Sequence, residues 1–85
     1  MIVVKFYTPT CGSCKIMDKI TAKVLPDFPN VEYSTKNLAN DMNTAKCCNI
    51  VKLPTLIRYN GYGAEICRLE GAVSESKLRE FFNEH

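Results

Sequence analysis

Two cysteines three positions apart, Cys11 and Cys14, are the residues of this 85-residue chain whose type and spacing best suit chemistry. They follow an apolar run over residues 2–7, and a helical pattern comes directly after them. We therefore expect the pair where a strand ends and a helix begins. There the first backbone N–H groups of the helix lack partners within it, so they should stabilise a reactive thiolate at Cys11. Cys14, one turn on, can close a short disulfide with Cys11, which suits thiol–disulfide exchange.

The elements that must position this pair follow from the periodicity of the rest of the chain. Apolar runs bounded by turn residues predict strands, whereas helical spacing and capping residues predict helices. The predicted order is β-α-β-α-β-β-α, with strands over 2–7, 31–35, 55–59 and 64–69, and helices over about 11–24, about 38–48 and after Ser74.

The connections between these elements predict the fold class. A helix joins the first two strands, so they should be parallel with a right-handed crossover. Turn residues at 60–63 predict an antiparallel hairpin between the last two strands. We therefore expect an α/β fold with a four-stranded mixed sheet and helices on both faces. The carboxyl end of the first strand, just before Cys11, is where open α/β sheets usually carry their chemistry.

Short polar residues mark where the helices should begin. Thr10, Asn37 and Ser74 are the predicted N-caps of the first, second and third helices. Leu38 and Met42 recur at helical spacing, so both should face inward from the second helix.

Composition narrows the classes of function. Residues 1–85 are expected to form one domain, and a net charge of +2 is too mild to indicate nucleic acid or a membrane surface. No apolar run approaches the ~20 residues of a membrane span. The start of the chain lacks a signal-peptide pattern, and five cysteines is an odd number for a disulfide framework. These features favour a cytoplasmic location, where thiols are kept reduced.

The segments over residues 6–15, 53–56 and 71–74 together resemble the thioredoxin family. Residues 6–15 resemble the active-site segment of thioredoxins and protein disulfide isomerases, and residues 53–56 resemble the family's cis-proline segment. Residues 71–74 and the helix after them resemble its C-terminal end. The resemblance covers nearly the whole chain from Met1, but the extra N-terminal strand and helix of full-length thioredoxins are missing, so the size is closer to a glutaredoxin.

The resemblance implies a thioredoxin-like fold and a protein-disulfide reductase of the thioredoxin or glutaredoxin type. Cys11 would attack a disulfide in a substrate protein and Cys14 would resolve the mixed disulfide. The redox-active disulfide Cys11–Cys14 would serve in place of a bound cofactor, and a monomer would draw electrons from a thioredoxin reductase or from glutathione. The residues implied to bind the substrate are Thr10, Gly12, Ser13, Leu53, Pro54 and Gly71.

The chain also departs from the family pattern. Thr10 lies where thioredoxins usually have Trp, Ser13 where they have Pro, and Lys5 where they have a buried acid. Lys5 and Lys15 are therefore candidates for tuning the ionisation of the cysteine pair, although Lys5 could instead reach the rim of the sheet. The Pro-Tyr pair and the Gly-Gly-x-Asp segment of glutaredoxins are both lacking. A glutathione-linked glutaredoxin-type enzyme and a non-catalytic thioredoxin-fold binding module remain the alternative functions.

A structural zinc site is the alternative use of the cysteines. It needs four ligands. Cys47 and Cys48 are poorly spaced to complete it, and the one histidine, His85, is at the chain end. We expect no metal site, an exposed Cys47, and a Cys67 that is buried and inert in the fourth strand.

Overall fold

The computed structural model describes residues 1–83, which form a sheet and three helices. A short 3₁₀ turn, Leu25–Asp27, ends the first helix. The elements are β1 (Ile2–Tyr7), α1 (Gly12–Val24), β2 (Glu32–Asn37), α2 (Met42–Cys47), β3 (Thr55–Tyr59), β4 (Glu65–Glu70) and α3 (Glu75–Asn83).

The sheet has four strands in the order β2-β1-β3-β4. β1 and β2 are parallel, whereas β3 is antiparallel to both β1 and β4. This confirms the predicted order of elements, the parallel first pair and the hairpin. None of the three helices in the described part of the chain is long and apolar enough to cross a membrane.

Apolar cores lie on both faces of this sheet because residues of β1 and β3 alternate between the faces. One core joins the sheet to α1 and α3, and its fully buried members include Val3, Met17, Leu56 and Leu78. The other lies under α2 and contains Phe6, Leu38 and Ile57. The helices therefore cover both faces, as predicted.

The second helix begins later than predicted, and its N-cap is not Asn37. The Leu38 N–H donates to the Tyr7 carbonyl at 2.8 Å, so the chain is still bound to the end of β1 at that point. The helix starts at Met42 with Asp41 as its N-cap, whose carboxylate accepts from the Thr44 N–H at 3.1 Å. The later start leaves Met42 64% exposed, so its predicted inward position is wrong.

The structure confirms the predicted cap at Ser74 and the predicted exposure of Cys47, but not the predicted burial of Cys67. Ser74 Oγ accepts from the Lys77 N–H at 3.3 Å, which confirms the cap of α3. Cys47 is exposed, as predicted. Cys67 is half-buried rather than buried, because β4 is an edge strand of the sheet and only part of the side chain reaches the core.

Candidate active site

Cys11 and Cys14 are joined by a disulfide at the carboxyl end of β1, with their Cα atoms 5.3 Å apart. The two residues lie at the start of α1, as the sequence predicted. The pair can therefore exist in an oxidised form within the folded protein, which a redox site requires.

The N-cap of α1 is Cys11 itself rather than Thr10. Cys11 has extended backbone dihedrals, and its Sγ accepts a hydrogen bond from the Cys14 N–H at 3.1 Å. The prediction of Thr10 was one residue early, because the Cys11 N–H donates to the Thr8 carbonyl at 3.2 Å and so closes a turn before the helix. The sulfur that would become the thiolate thus already accepts from one of the free N–H groups that stabilise an anion at a helix start.

The two sulfur-bearing residues differ in exposure. Cys14 is only 3% exposed and faces the core, whereas Cys11 is half-buried. Thr10, Gly12 and Ser13 around it are exposed. A substrate can reach Cys11 more readily than Cys14, which suits an attacking and a resolving thiol respectively.

The register of the sheet brings the predicted docking residues to the same edge as Cys11. Phe6 in β1 pairs with Thr55, and Thr55 pairs with Glu70 in β4. The residues that flank these positions, Pro54 and Gly71, therefore lie at the sheet end where β1 leads into the cysteine pair. A long-range contact that is invisible in the sequence, the β1–β3 pairing, creates this juxtaposition.

A hydrogen bond ties the two docking loops together. The Gly71 N–H donates to the Pro54 carbonyl at 2.8 Å. The Leu53–Pro54 bond is cis, as the resemblance implied, and Gly71 has a φ of +80°, a conformation that favours glycine. Pro54 is buried while Leu53 is half-buried, so Leu53 is the more accessible of the two.

Lys5 is buried, and its ammonium reaches an ion pair with Asp18 of α1. Lys5 is 3% exposed, whereas the Asp18 side chain is 55% exposed. The Lys5 Nζ also lies 4.8 Å from the centroid of the Tyr7 ring. The stem is thus buried under α1 while the charged end is neutralised by a carboxylate at the surface. Sequence reasoning missed Asp18, whose signal was its position one helical turn after Cys14.

The charge of Asp18 also reaches its other neighbours. Burial, and next the negative charge of Asp18, raise the pKa of Tyr33 to about 12, against the lowering effect of a hydrogen bond with Thr21. Lys15, the other predicted tuning residue, is exposed directly after Cys14.

Among residues 1–83, no three His, Cys, Asp or Glu side chains are grouped closely enough to hold a metal ion. His85, considered above as a ligand, lies outside the described residues. The disulfide is the redox group that this site contains.

A family model described as Thioredoxin matches residues 1–84. The chain belongs to the thioredoxin family. With its Cys11–Cys14 disulfide at the start of α1, it is a thiol–disulfide oxidoreductase of this family, whose members use a redox-active disulfide rather than an external cofactor.

Three relatives illustrate the extent of the match. Thioredoxin from Buchnera aphidicola is 31% identical over 98% of this chain and 77% of its own length. Chloroplastic thioredoxin-like 1-3 from Arabidopsis thaliana is 27% identical over 95% of this chain, yet this chain spans only 29% of that longer protein. The X-ray structure of Fasciola hepatica thioredoxin has a TM-score of 0.86 and 28% identity, covering 99% of this chain and 79% of that one.

Proposed function

We propose that this thioredoxin-family chain reduces disulfides in proteins. The observation that carries the proposal is the unequal setting of the two sulfurs: Cys11 Sγ caps α1 at an accessible position, while Cys14 is 3% exposed behind it. An accessible sulfur held at a helix start is suited to attack, and a shielded neighbour is suited to resolve.

The reaction has two exchange steps. The Cys11 thiolate attacks one sulfur of the substrate disulfide, forming a mixed disulfide and releasing the other substrate sulfur as a thiolate. Cys14, as a thiolate, then attacks Cys11 Sγ and releases the second substrate thiolate. The substrate gains two electrons from the enzyme, which is left with a newly formed Cys11–Cys14 disulfide.

The edge of the sheet beside Cys11 offers a surface for the substrate chain. Thr10, Gly12 and Ser13 are exposed there, and the linked loops of Pro54 and Gly71 border it. A cavity of about 380 Å³ continues from Leu53 toward α2, and its lining includes the exposed apolar residues Met42 and Val51. We infer that residues flanking the substrate cysteine lie along this edge, with apolar ones favoured beside Leu53.

The electron donor we propose is a thioredoxin reductase, because the thioredoxin family generally draws on that enzyme and the glutaredoxin segments are lacking in this sequence. Glutathione is the alternative donor. A reducing compartment such as the cytoplasm is the location that keeps the site and the other thiols reduced.

Insulin reduction with two coupled electron sources tests the function and the donor together. We expect turnover with NADPH and thioredoxin reductase, and little with glutathione and its reductase. Cys11→Ser should abolish turnover, and Cys14→Ser should accumulate a mixed disulfide on Cys11. Cys47→Ser, a change at an exposed thiol of α2, is the matched control and should keep full activity. A protein inactive with both donors would instead be a binding module.

A further inference from the structure

Arg58 in β3 is a buried residue, and two of its side-chain nitrogens have no hydrogen-bond acceptor within the described residues. The residue is 8% exposed, and its Nε and Nη1 atoms are buried and donate to no partner within the described residues. A guanidinium cannot lose its charge in a protein, so it remains cationic there. Burying hydrogen-bond donors without acceptors costs free energy. The unpaired donors of Arg58 therefore indicate that a ligand or solvent molecule binds there.

Arg58 lines a cavity of about 240 Å³ at the far end of the sheet. The cavity lies between the turn that follows α1 and the end of α3, and Phe28 and Phe82 form apolar walls. Their rings meet edge to face with centroids 5.5 Å apart. The cavity therefore combines a cation with aromatic surface.

No carboxylate within residues 1–83 accepts a hydrogen bond from the Nε or Nη1 of Arg58. Asp27 lines the cavity, but its Oδ2 accepts from Arg79 Nη1 at 2.9 Å, so its charge is already paired. Glu32 pairs with Ile2 across the sheet, whereas Arg58 pairs with Val3. Adjacent strand positions point to opposite faces, although Glu32 and Arg58 both line a second cavity at this end of the sheet. Within residues 1–83, the Nε and Nη1 atoms of Arg58 thus have no carboxylate partner.

We propose that this cavity binds a small organic anion, a carboxylate or phosphate group carried on a flat apolar body. The planar guanidinium matches both oxyanions through paired N–H donors, and the phenylalanine rings suit the body. The volume lies below the ~300 Å³ at which drug-sized sites begin, so the ligand is small. Arg58 is three residues along β3 from Thr55, about 10 Å, so the site is separate from the disulfide.

Amide chemical shifts in the wild-type protein give the first test. Benzoate and phenyl phosphate are the probes, acetate and inorganic phosphate test the charged group alone, and benzamide is the neutral analogue. We expect saturable shifts at Phe28, Phe82 and Asn83 with benzoate or phenyl phosphate, weaker binding of the bare ions, and no saturation with benzamide. Comparison of the first two probes decides between a carboxylate and a phosphate ligand.

Variants of two arginines give the second test. Arg58→Met keeps the length of the side chain without its charge and should weaken binding at least about tenfold. Arg58→Lys keeps a charge without the planar fork and should weaken binding less. Arg68→Met is the matched control on β4, since the Arg68 guanidinium already donates to Glu65 and to the carbonyls of Cys48 and Asn49.

Insulin reduction separates this proposal from the function of the disulfide. Arg58→Met should reduce insulin as the wild type does, which also shows that it folds. If that variant fails to fold, the proposal is tested instead by comparing the binding of benzoate and of benzamide in the wild type and in Arg58→Lys. Saturable binding of benzamide equal to that of benzoate, an absence of shifts around the cavity, or unchanged affinity in Arg58→Met would overturn the proposal.

Discussion

At the scale of single residues, the reactivity of this protein depends on one sulfur atom. Cys11 Sγ is both the N-cap of α1 and one half of the disulfide. A short polar side chain usually caps a helix. Here a cysteine does so, and reduction of the disulfide leaves a sulfur that the helix start favours as an anion. The capping interaction and the chemistry are therefore coupled.

Alkylation should show that the Cys11 thiol is more reactive than the other thiols. When the reduced protein is treated with iodoacetamide near neutral pH, we expect Cys11 to be labelled first and Cys14 late, as measured by peptide mapping. Cys47 is the internal reference, since it is exposed but lies at the carboxyl end of α2, away from the free N–H groups of a helix start. Labelling of Cys47 or Cys14 ahead of Cys11 would contradict the assignment.

The charges of Lys5 and Asp18 should influence the redox potential of the Cys11–Cys14 pair, because removing either one leaves the other unpaired. Asp18 lies one helical turn after Cys14, so removing Lys5 by Lys5→Met leaves a negative charge near the pair. This disfavours thiolate and should make the protein more reducing, by on the order of 20 mV. Asp18→Asn leaves the ammonium unpaired and should shift the potential the other way.

Equilibration with glutathione, together with thiolate absorbance against pH, measures both effects. Lys19→Met, at an exposed position of the same helix, is the control and should leave both curves unchanged. Shifts of the same sign in Lys5→Met and Asp18→Asn would show that packing, not charge, is responsible.

At the scale of elements, the connection from β4 to α3 depends on one backbone conformation. Gly71 has a φ of +80°, and no atom lies within 4 Å of a Cβ built there. Gly71→Ala should therefore destabilise the fold through the backbone alone, by about 1–2 kcal/mol. The midpoint of thermal unfolding should fall by roughly 4–8 °C per kcal/mol.

Gly61→Ala is the matched comparison, because that glycine also has open space around it but no positive φ. It should leave the midpoint nearly unchanged. Equal losses in the two variants would mean that flexibility of glycine, rather than the left-handed conformation, explains the effect.

The N-cap of α2 should contribute stability that depends on pH. The side-chain and backbone hydrogen bonds from Thr44, and then Lys36, lower the pKa of Asp41 from 3.8. Because the folded-state pKa is the lower one, the contribution is full above about 3.8 and is lost as pH falls through the folded value. The gap in unfolding midpoint between wild type and Asp41→Ala should therefore be constant near neutral pH and narrow in acid.

Asp41→Asn separates the charge from the cap. An amide can still accept the Thr44 N–H but does not titrate, so its advantage over Asp41→Ala should not change with pH. A gap between wild type and Asp41→Ala that stays constant down to pH values below 3.8 would contradict the role of the carboxylate.

At the scale of the whole molecule, the chain has the dimensions of a compact single unit. The Cα radius of gyration over the described residues is 12.2 Å, close to the ~12 Å expected of a globular chain of this length. We expect a monomer in solution. Small-angle scattering at increasing protein concentration should give an unchanging mass near 9.6 kDa, and a mass that doubles with concentration would contradict this expectation.

The sequence alone was sufficient for most features that depend on neighbours along the chain, although it placed the N-cap of α1 one residue early. The strand before Cys11, the helix that contains Cys14, the turn at 60–63 and the cap at Ser74 all follow from local periodicity and capping. The order of these elements then restricted the topology to a mixed sheet. The redox chemistry of the pair was readable for the same reason, since both sulfurs lie within one helical turn.

Only the tertiary structure determined what depends on residues far apart in the chain. A bond from Leu38 to the end of β1 delayed α2 beyond its predicted start. Lys5 pairs with Asp18, which lies 13 residues later in α1. Arg58 lines a cavity that no local sequence pattern indicated. Charge pairing and burial depend on which elements pack together. That packing is a property of the whole fold, so no window of sequence contains it.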